Sequence, residues 1–177
     1  MTSAGRLIGV AISIPEPWGT ELRRERARLG DSLADSVPTH VTLLPPTTID
    51  TDVLPAVEAH LTEVAKRGRA FTMHLRGTGS FRPVSPVVFV QVVEGIAGCE
   101  VVEAEVRSGI LQRKLAFPYH PHVTVAHDLP EEDLDTAFRE LAGYEARFPI
   151  WGYTLYEHVD GSWAPRRDFV FGGEIGR

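Results

Sequence analysis

The sequence predicts an α+β fold of two pseudo-symmetric lobes around a central cleft, each lobe an antiparallel sheet with flanking helices. Two observations predict it. Apolar runs with strand periodicity alternate with helical stretches in the order β-α-β-α-β-β-α-β-α-β-β. One short phrase also occurs twice, as Thr39-His40-Val41-Thr42-Leu43-Leu44 and as Pro121-His122-Val123-Thr124-Val125-Ala126, at similar places in the two halves.

Each element has its own signal. Residues 7–14 form an apolar run ended by Pro15 and Pro17, a buried first strand. Residues 21–29 are charged and helix-favouring, with Gly30 as the stop. Residues 33–38 are loop. Residues 39–44 are the first motif strand, which Pro45-Pro46 is expected to close, because proline cannot donate to a central ladder. Asp50 or Asp52 caps a helix whose Leu54, Val57, Leu61 and Val64 share one stripe, with Pro55 in its first turn and Gly68 at its end. His60 lies beside that stripe, partly exposed. Phe71, Met73 and Leu75 alternate with polar residues in a half-buried strand whose polar face carries a solvated His74. Gly77-Thr78-Gly79-Ser80 lacks the Gly-Lys-Ser/Thr ending of a P-loop and reads as a bulge or turn. Residues 87–93 are a well-buried strand. Residues 100–115 carry Val102, Val106, Ile110 and Leu111 and form an amphipathic helix, with Cys99 in a turn before it. Residues 116–120 lead into the second motif strand. Pro130, Glu131 and Glu132 open a further helix that runs to Leu141, with Gly143 as its stop. Residues 147–156 and 168–171 are the last strands, with a turn at Asp160-Gly161-Ser162 between them.

A chain of 177 residues suits a single domain, 1–177, made of two lobes. Its 43% hydrophobic and 24% charged content is that of a soluble globular protein. The net charge of −6 argues against a long basic track for nucleic acid, which works by neutralising many phosphates. A small nucleotide or an RNA end in a local pocket remains compatible. Cys99 is the only cysteine, so no intramolecular disulfide forms, as expected in a reducing compartment. The first apolar run is short and is followed by Pro15-Glu16-Pro17, so it reads as a strand and not as a signal peptide or a membrane span. The expectation is a cytoplasmic monomer with no membrane contact.

The repeated phrase carries the chemistry. With 7 histidines and 13 threonines, chance supplies roughly 0.03 matches to His-x-Thr flanked by aliphatic residues in a chain of this composition. Two are present. On a strand, His40 and Thr42 share one face while Val41 and Leu43 share the other, and His122 and Thr124 repeat this against Val123 and Val125. Facing each other across a cleft, the two strands would present two imidazoles and two hydroxyls. Histidine acts as acid or base near neutrality. One neutral and one protonated imidazole make a general base and a general acid, and the threonines donate to non-bridging phosphate oxygens between them. This set suits in-line displacement at phosphorus, with no cofactor and no metal. The competing metal reading rests on His120, His122 and nearby His127, but strand alternation puts His127 on the face opposite His122. A third reading is a fold that binds a nucleotide without turning it over, and the presence of both histidines favours catalysis over it.

These residues resemble the 2H phosphoesterases, including the bacterial 2′-5′ RNA ligase-like and cyclic-nucleotide phosphodiesterase branches. The resemblance rests on His40-Val41-Thr42-Leu43 and His122-Val123-Thr124-Val125, with Pro121 before the second motif. The stretch Leu75-Arg76-Gly77-Thr78-Gly79-Ser80-Phe81 and the helix before the second motif are also similar. It implies a bilobal α+β fold and phosphodiesterase activity, by 2′,3′-cyclic hydrolysis or by 2′-5′ cleavage or ligation, on a small nucleotide or RNA end. His40 and His122 would be catalytic, and Thr42 and Thr124 would bind phosphate. His127 stands where many relatives carry arginine, and Pro45 where an aromatic is common. Tyr119 and Phe81 are candidates for stacking a base near the cleft; packing of the lobe interface is the alternative for each.

Overall fold

The computed structural model describes residues 5–172. Eight strands form two four-stranded antiparallel sheets. The first has the order β2-β1-β7-β8, from β1 (Gly5–Ser13), β2 (His40–Asp50), β7 (Gly152–Val159) and β8 (Ser162–Val170). The second has the order β5-β4-β3-β6, from β3 (Phe71–Ser80), β4 (Val87–Glu94), β5 (His122–His127) and β6 (Glu145–Ile150). Four helices flank them: α1 (Trp18–Arg28), α2 (Leu54–Arg67), α3 (Ile96–Val106) and α4 (Glu131–Glu140). The expected α+β, bilobal architecture is what forms.

The two sheets match in topology. In each, a strand–helix–strand unit, β1-α1-β2 or β4-α3-β5, places its second strand at the sheet edge. The two motif strands are therefore both edge strands, and they pack beside each other without sharing a ladder. The two motif histidines therefore open strands that lie side by side where the sheets meet. The inward residues of both strands, Val41, Leu43, Val123 and Val125, are at most 1% exposed and join one core that runs through both lobes. Burial of that apolar set holds β2 and β5 in place, at roughly 1.5–3 kcal/mol per aliphatic side chain.

Several boundaries differ from expectation for physical reasons. β2 does not end at Pro45-Pro46 but continues to Asp50. Its register jumps from Leu44 opposite Val10 to Thr47 opposite Ile8, so both prolines lie in a bulge against Gly9 at the sheet edge, where a missing N–H is tolerated. The expected strand over 147–156 is two strands, because the chain leaves the second sheet at Ile150 and enters the first at Gly152. β8 begins at Ser162, not at 168. Asp160 and Gly161 both have positive φ, 49° and 81°, the two-residue hairpin turn that starts the return strand at once. α3 spans Ile96–Val106, earlier than the expected 100–115, and Gly109 at φ 54° opens a separate 3₁₀ turn. Cys99 accordingly lies inside α3, fully buried, and burial pushes its thiol up to about 12. His74 is paired with Glu145 at 2.7 Å rather than solvated. The expected bulge at Gly77 is present, with φ 69° and a register shift between Leu75 and Thr78.

Candidate functional site

His40 opens β2 and His122 opens β5, and the two imidazoles are held by the same device. Nδ1 of His40 lies 2.6 Å from the Pro38 carbonyl, and Nδ1 of His122 lies 2.7 Å from the His120 carbonyl, in each case two residues back. A carbonyl only accepts, so Nδ1 carries the proton in both rings. In its neutral form each ring then presents Nε2 as a bare lone pair. The same tautomer is thus imposed twice by local backbone geometry.

Both rings are held toward neutrality. Burial lowers the His40 pKa from its ordinary value, the Pro38 carbonyl opposes this, and the nearby Arg26 charge lowers it further. Burial also lowers that of His122, and the neighbouring His120 and His40 add to the effect against the His120 carbonyl bond.

Thr42 and Thr124 follow their histidines at the spacing that keeps them on the same face, half-buried, while the residues between are fully buried. Among the described residues neither hydroxyl has a hydrogen-bond partner within the protein. Each is free to meet a ligand.

Aromatic side chains set the His122 ring. Phe81 meets it edge to face, centroids 4.8 Å apart at 88°, and Phe89 lies 5.3 Å away. Phe81 and Phe89 are themselves 4.5 Å apart. Gly79 makes room for this: a Cβ there would fall 2.5 Å from the Phe89 ring. Tyr119 braces the other strand. Its ring packs against the core, and its hydroxyl donates to the Thr42 carbonyl at 2.8 Å, linking the approach to β5 with β2. Phe81 thus lies against His122 and Tyr119 against the Thr42 carbonyl, each with a positioning contact of its own.

Three features of the site were not visible in the sequence reading. The first is a buried ion pair, Arg26 Nε to Asp31 Oδ2 at 2.7 Å. Asp31 also accepts from the backbone N–H of Leu33 at 2.9 Å and of His127 at 3.2 Å, so it ties the end of α1 to β5. An arginine within a charged helix carries no sequence signal of burial. The second is a cavity of about 190 Å³ that opens beside His40 and Thr42 and runs to Trp163 and Tyr156. The third is Ser13, which sits opposite His40 in the ladder. Of the residues weighed as metal ligands, His120 and His122 have ring centroids 6.1 Å apart. Among the described residues no group of three or more His, Cys, Asp or Glu is placed to hold a metal ion. No described helix is long and apolar enough to cross a membrane.

Comparison with known proteins gives one consistent result. The model of the 2′-5′ RNA ligase superfamily matches residues 14–162. A Bacillus licheniformis protein provisionally named a phosphoesterase is 29% identical over 140 residues, 77% of this chain and 82% of its own. A Geobacillus protein with the same provisional name is 26% identical over 147 residues, covering 81% and 84%. Among solved structures, Escherichia coli LigT complexed with NADP+ superposes with a TM-score of 0.68 at 20% identity, covering 96% of this chain and 99% of that one. LigT complexed with 3′-AMP gives 0.65 at 20% identity, covering 95% and 99%. At that identity these structures support the fold alone.

Proposed function

The chain belongs to the 2′-5′ RNA ligase superfamily, and on that footing we propose that it is a metal-independent phosphodiesterase acting on a small nucleotide or RNA end, either a 2′,3′-cyclic phosphate or a 2′-5′ linkage. One observation carries the reading. Two imidazoles, held in the same tautomer with Nε2 free of the Nδ1 anchor, are each paired with a threonine hydroxyl that no other described residue engages.

In the hydrolytic direction one Nε2 takes a proton from the attacking water as its oxygen bonds to phosphorus. The other imidazole, protonated, gives its proton to the ribose oxygen as the P–O bond breaks. Thr42 and Thr124 donate to the non-bridging oxygens. Both rings tend to be neutral in the free protein, so the acid form has to be favoured on binding. The phosphodiester's negative charge raises the pKa of the imidazole beside it and assembles the acid–base pair with the substrate. Phe81 and Tyr119 border the bound substrate as well as bracing the strands. The capture of 3′-AMP and NADP+ by LigT suits a groove of this kind, and the net charge of −6 suits a small ligand over a long strand. A cytoplasmic, single-domain monomer is part of the same reading, to which the buried thiol of Cys99 is suited.

The test is a panel of 2′,3′-cyclic nucleotides and 2′-5′-linked dinucleotides, assayed with and without EDTA and with product identification. Turnover that survives EDTA supports the proposal. Turnover lost to EDTA and restored by zinc assigns these histidines to a metal instead. Binding without turnover of any substrate favours a non-catalytic nucleotide-binding protein.

A further inference from the structure

We propose that the cavity beside His40 is a nucleobase subsite, with Trp163 as its stacking wall and the Tyr156 oxygen as acceptor for a donor on the base or sugar. The inference rests on the reading of the groove as a phosphodiester site, and adds where the nucleoside lies.

The cavity begins at His40 and Thr42 and extends over the first sheet to Trp163 and Tyr156. Apart from the titratable rings of His40 and Tyr156, its lining is uncharged and mostly aliphatic or aromatic, including Val37, Pro38 and Leu44. At about 190 Å³ it is smaller than the roughly 300–1,000 Å³ of pockets that enclose drug-sized ligands. That size fits one planar ring system attached to a phosphate at the histidines, and not a dinucleotide.

Trp163 is placed there by the backbone. Gly9 lies beneath the indole: a Cβ at that position would already be 3.4 Å from the ring and 3.5 Å from the Leu44 carbonyl. The Trp163 backbone N–H donates to the Ser36 carbonyl at 2.9 Å, and the ring meets His158 edge to face at 5.2 Å. A half-buried indole held against Gly9 and His158 loses little freedom when a base stacks on it. Stacking tolerates every base, because each has a π face.

The polar end of the subsite has a defined direction. Asp168 Oδ1 lies 2.7 Å from Thr154 Oγ1, which is 3.4 Å from Ser13 Oγ, which in turn bonds the Tyr156 hydroxyl. A carboxylate only accepts, so Thr154 donates to Asp168, Ser13 to Thr154, and Tyr156 to Ser13. The Tyr156 proton is thereby engaged and its oxygen is left as an acceptor. An exocyclic amine or a sugar hydroxyl satisfies it.

The experiment compares a 2′,3′-cyclic nucleotide with base-free ribose 2′,3′-cyclic phosphate in steady-state kinetics, alongside calorimetric binding of adenosine 3′-monophosphate. The proteins are wild type, Trp163→Ala, Trp163→Leu (which keeps apolar bulk over Gly9 but removes the ring face) and Trp163→Phe. The Ala and Leu variants are expected to raise KM for the nucleotide and weaken monophosphate binding about tenfold or more. The preference for nucleotide over base-free substrate should shrink by the same factor, and Phe should restore most of it. An unchanged preference, or a loss shared equally by both substrates, overturns the subsite while leaving the phosphodiesterase reading intact. If no substrate is turned over, calorimetry still decides. Weakened monophosphate binding in the Ala and Leu variants supports the subsite though the proposed activity has failed, and unchanged binding overturns it.

Discussion

At the scale of single residues, the site depends on small side chains as much as on its histidines. Gly79 is the clearest case. The Phe89 ring occupies the space where a Cβ at 79 would be, and Phe89 with Phe81 sets the His122 ring. Gly79→Ala is expected to cost about 1–3 kcal/mol in stability, as overpacking of a filled core does, and to lower turnover by displacing His122. Urea melts and steady-state kinetics on the same preparation check both halves. The sequence yielded the two histidines and two threonines readily, because strand alternation ties their direction to the buried valines between them. It did not yield Trp163. The stretch from Ser162 to Arg167 carries Pro165 and a basic pair, and all but the half-buried Trp163 are exposed on an edge strand, so no alternation marks it as strand.

At the scale of elements, the end of α1 is fastened to the second motif strand through one carboxylate. Asp31 pairs with Arg26 and accepts from the His127 N–H, and both charged side chains are almost wholly buried, at 7% and 2% exposed. Asp31→Asn leaves the Arg26 charge buried without its partner, and thermal or urea unfolding should show a loss of about 3–5 kcal/mol. Replacing Arg26 and Asp31 together by apolar residues of similar size should recover much of that loss. Strand and helix order was legible because the apolar periodicities are strong. The errors fell where tertiary context overrode a local signal. Prolines were tolerated at a bulged edge, and a single run of strand residues was divided between two sheets at Trp151.

At the scale of the whole molecule, the two lobes place matched edge strands side by side, and the shared core fixes the distance between them. The repeated phrase foretold this pairing, although nothing in its spacing showed that both strands would be edges. The arrangement has a pH signature. The folded pKa values of His40 and His122 lie below the ordinary 6.5. As pH falls through 6.5 the unfolded chain takes up protons before the folded one, so stability declines with acidification until the folded rings also titrate. Urea midpoints should drop between pH 7.5 and 5.5, and the drop should shrink in His40→Asn and His122→Asn. The central claim is that these two imidazoles share the proton transfers, and the pH dependence of kcat/KM on a 2′,3′-cyclic nucleotide tests it most directly. The account predicts a bell-shaped profile whose two apparent pKa values belong to the pair. It predicts that His40→Ala and His122→Ala each lower the rate by roughly 10²–10⁴-fold and remove the bell, and that the double variant loses less than the product of the two. A profile with one limb, or a bell that survives either replacement, would contradict it.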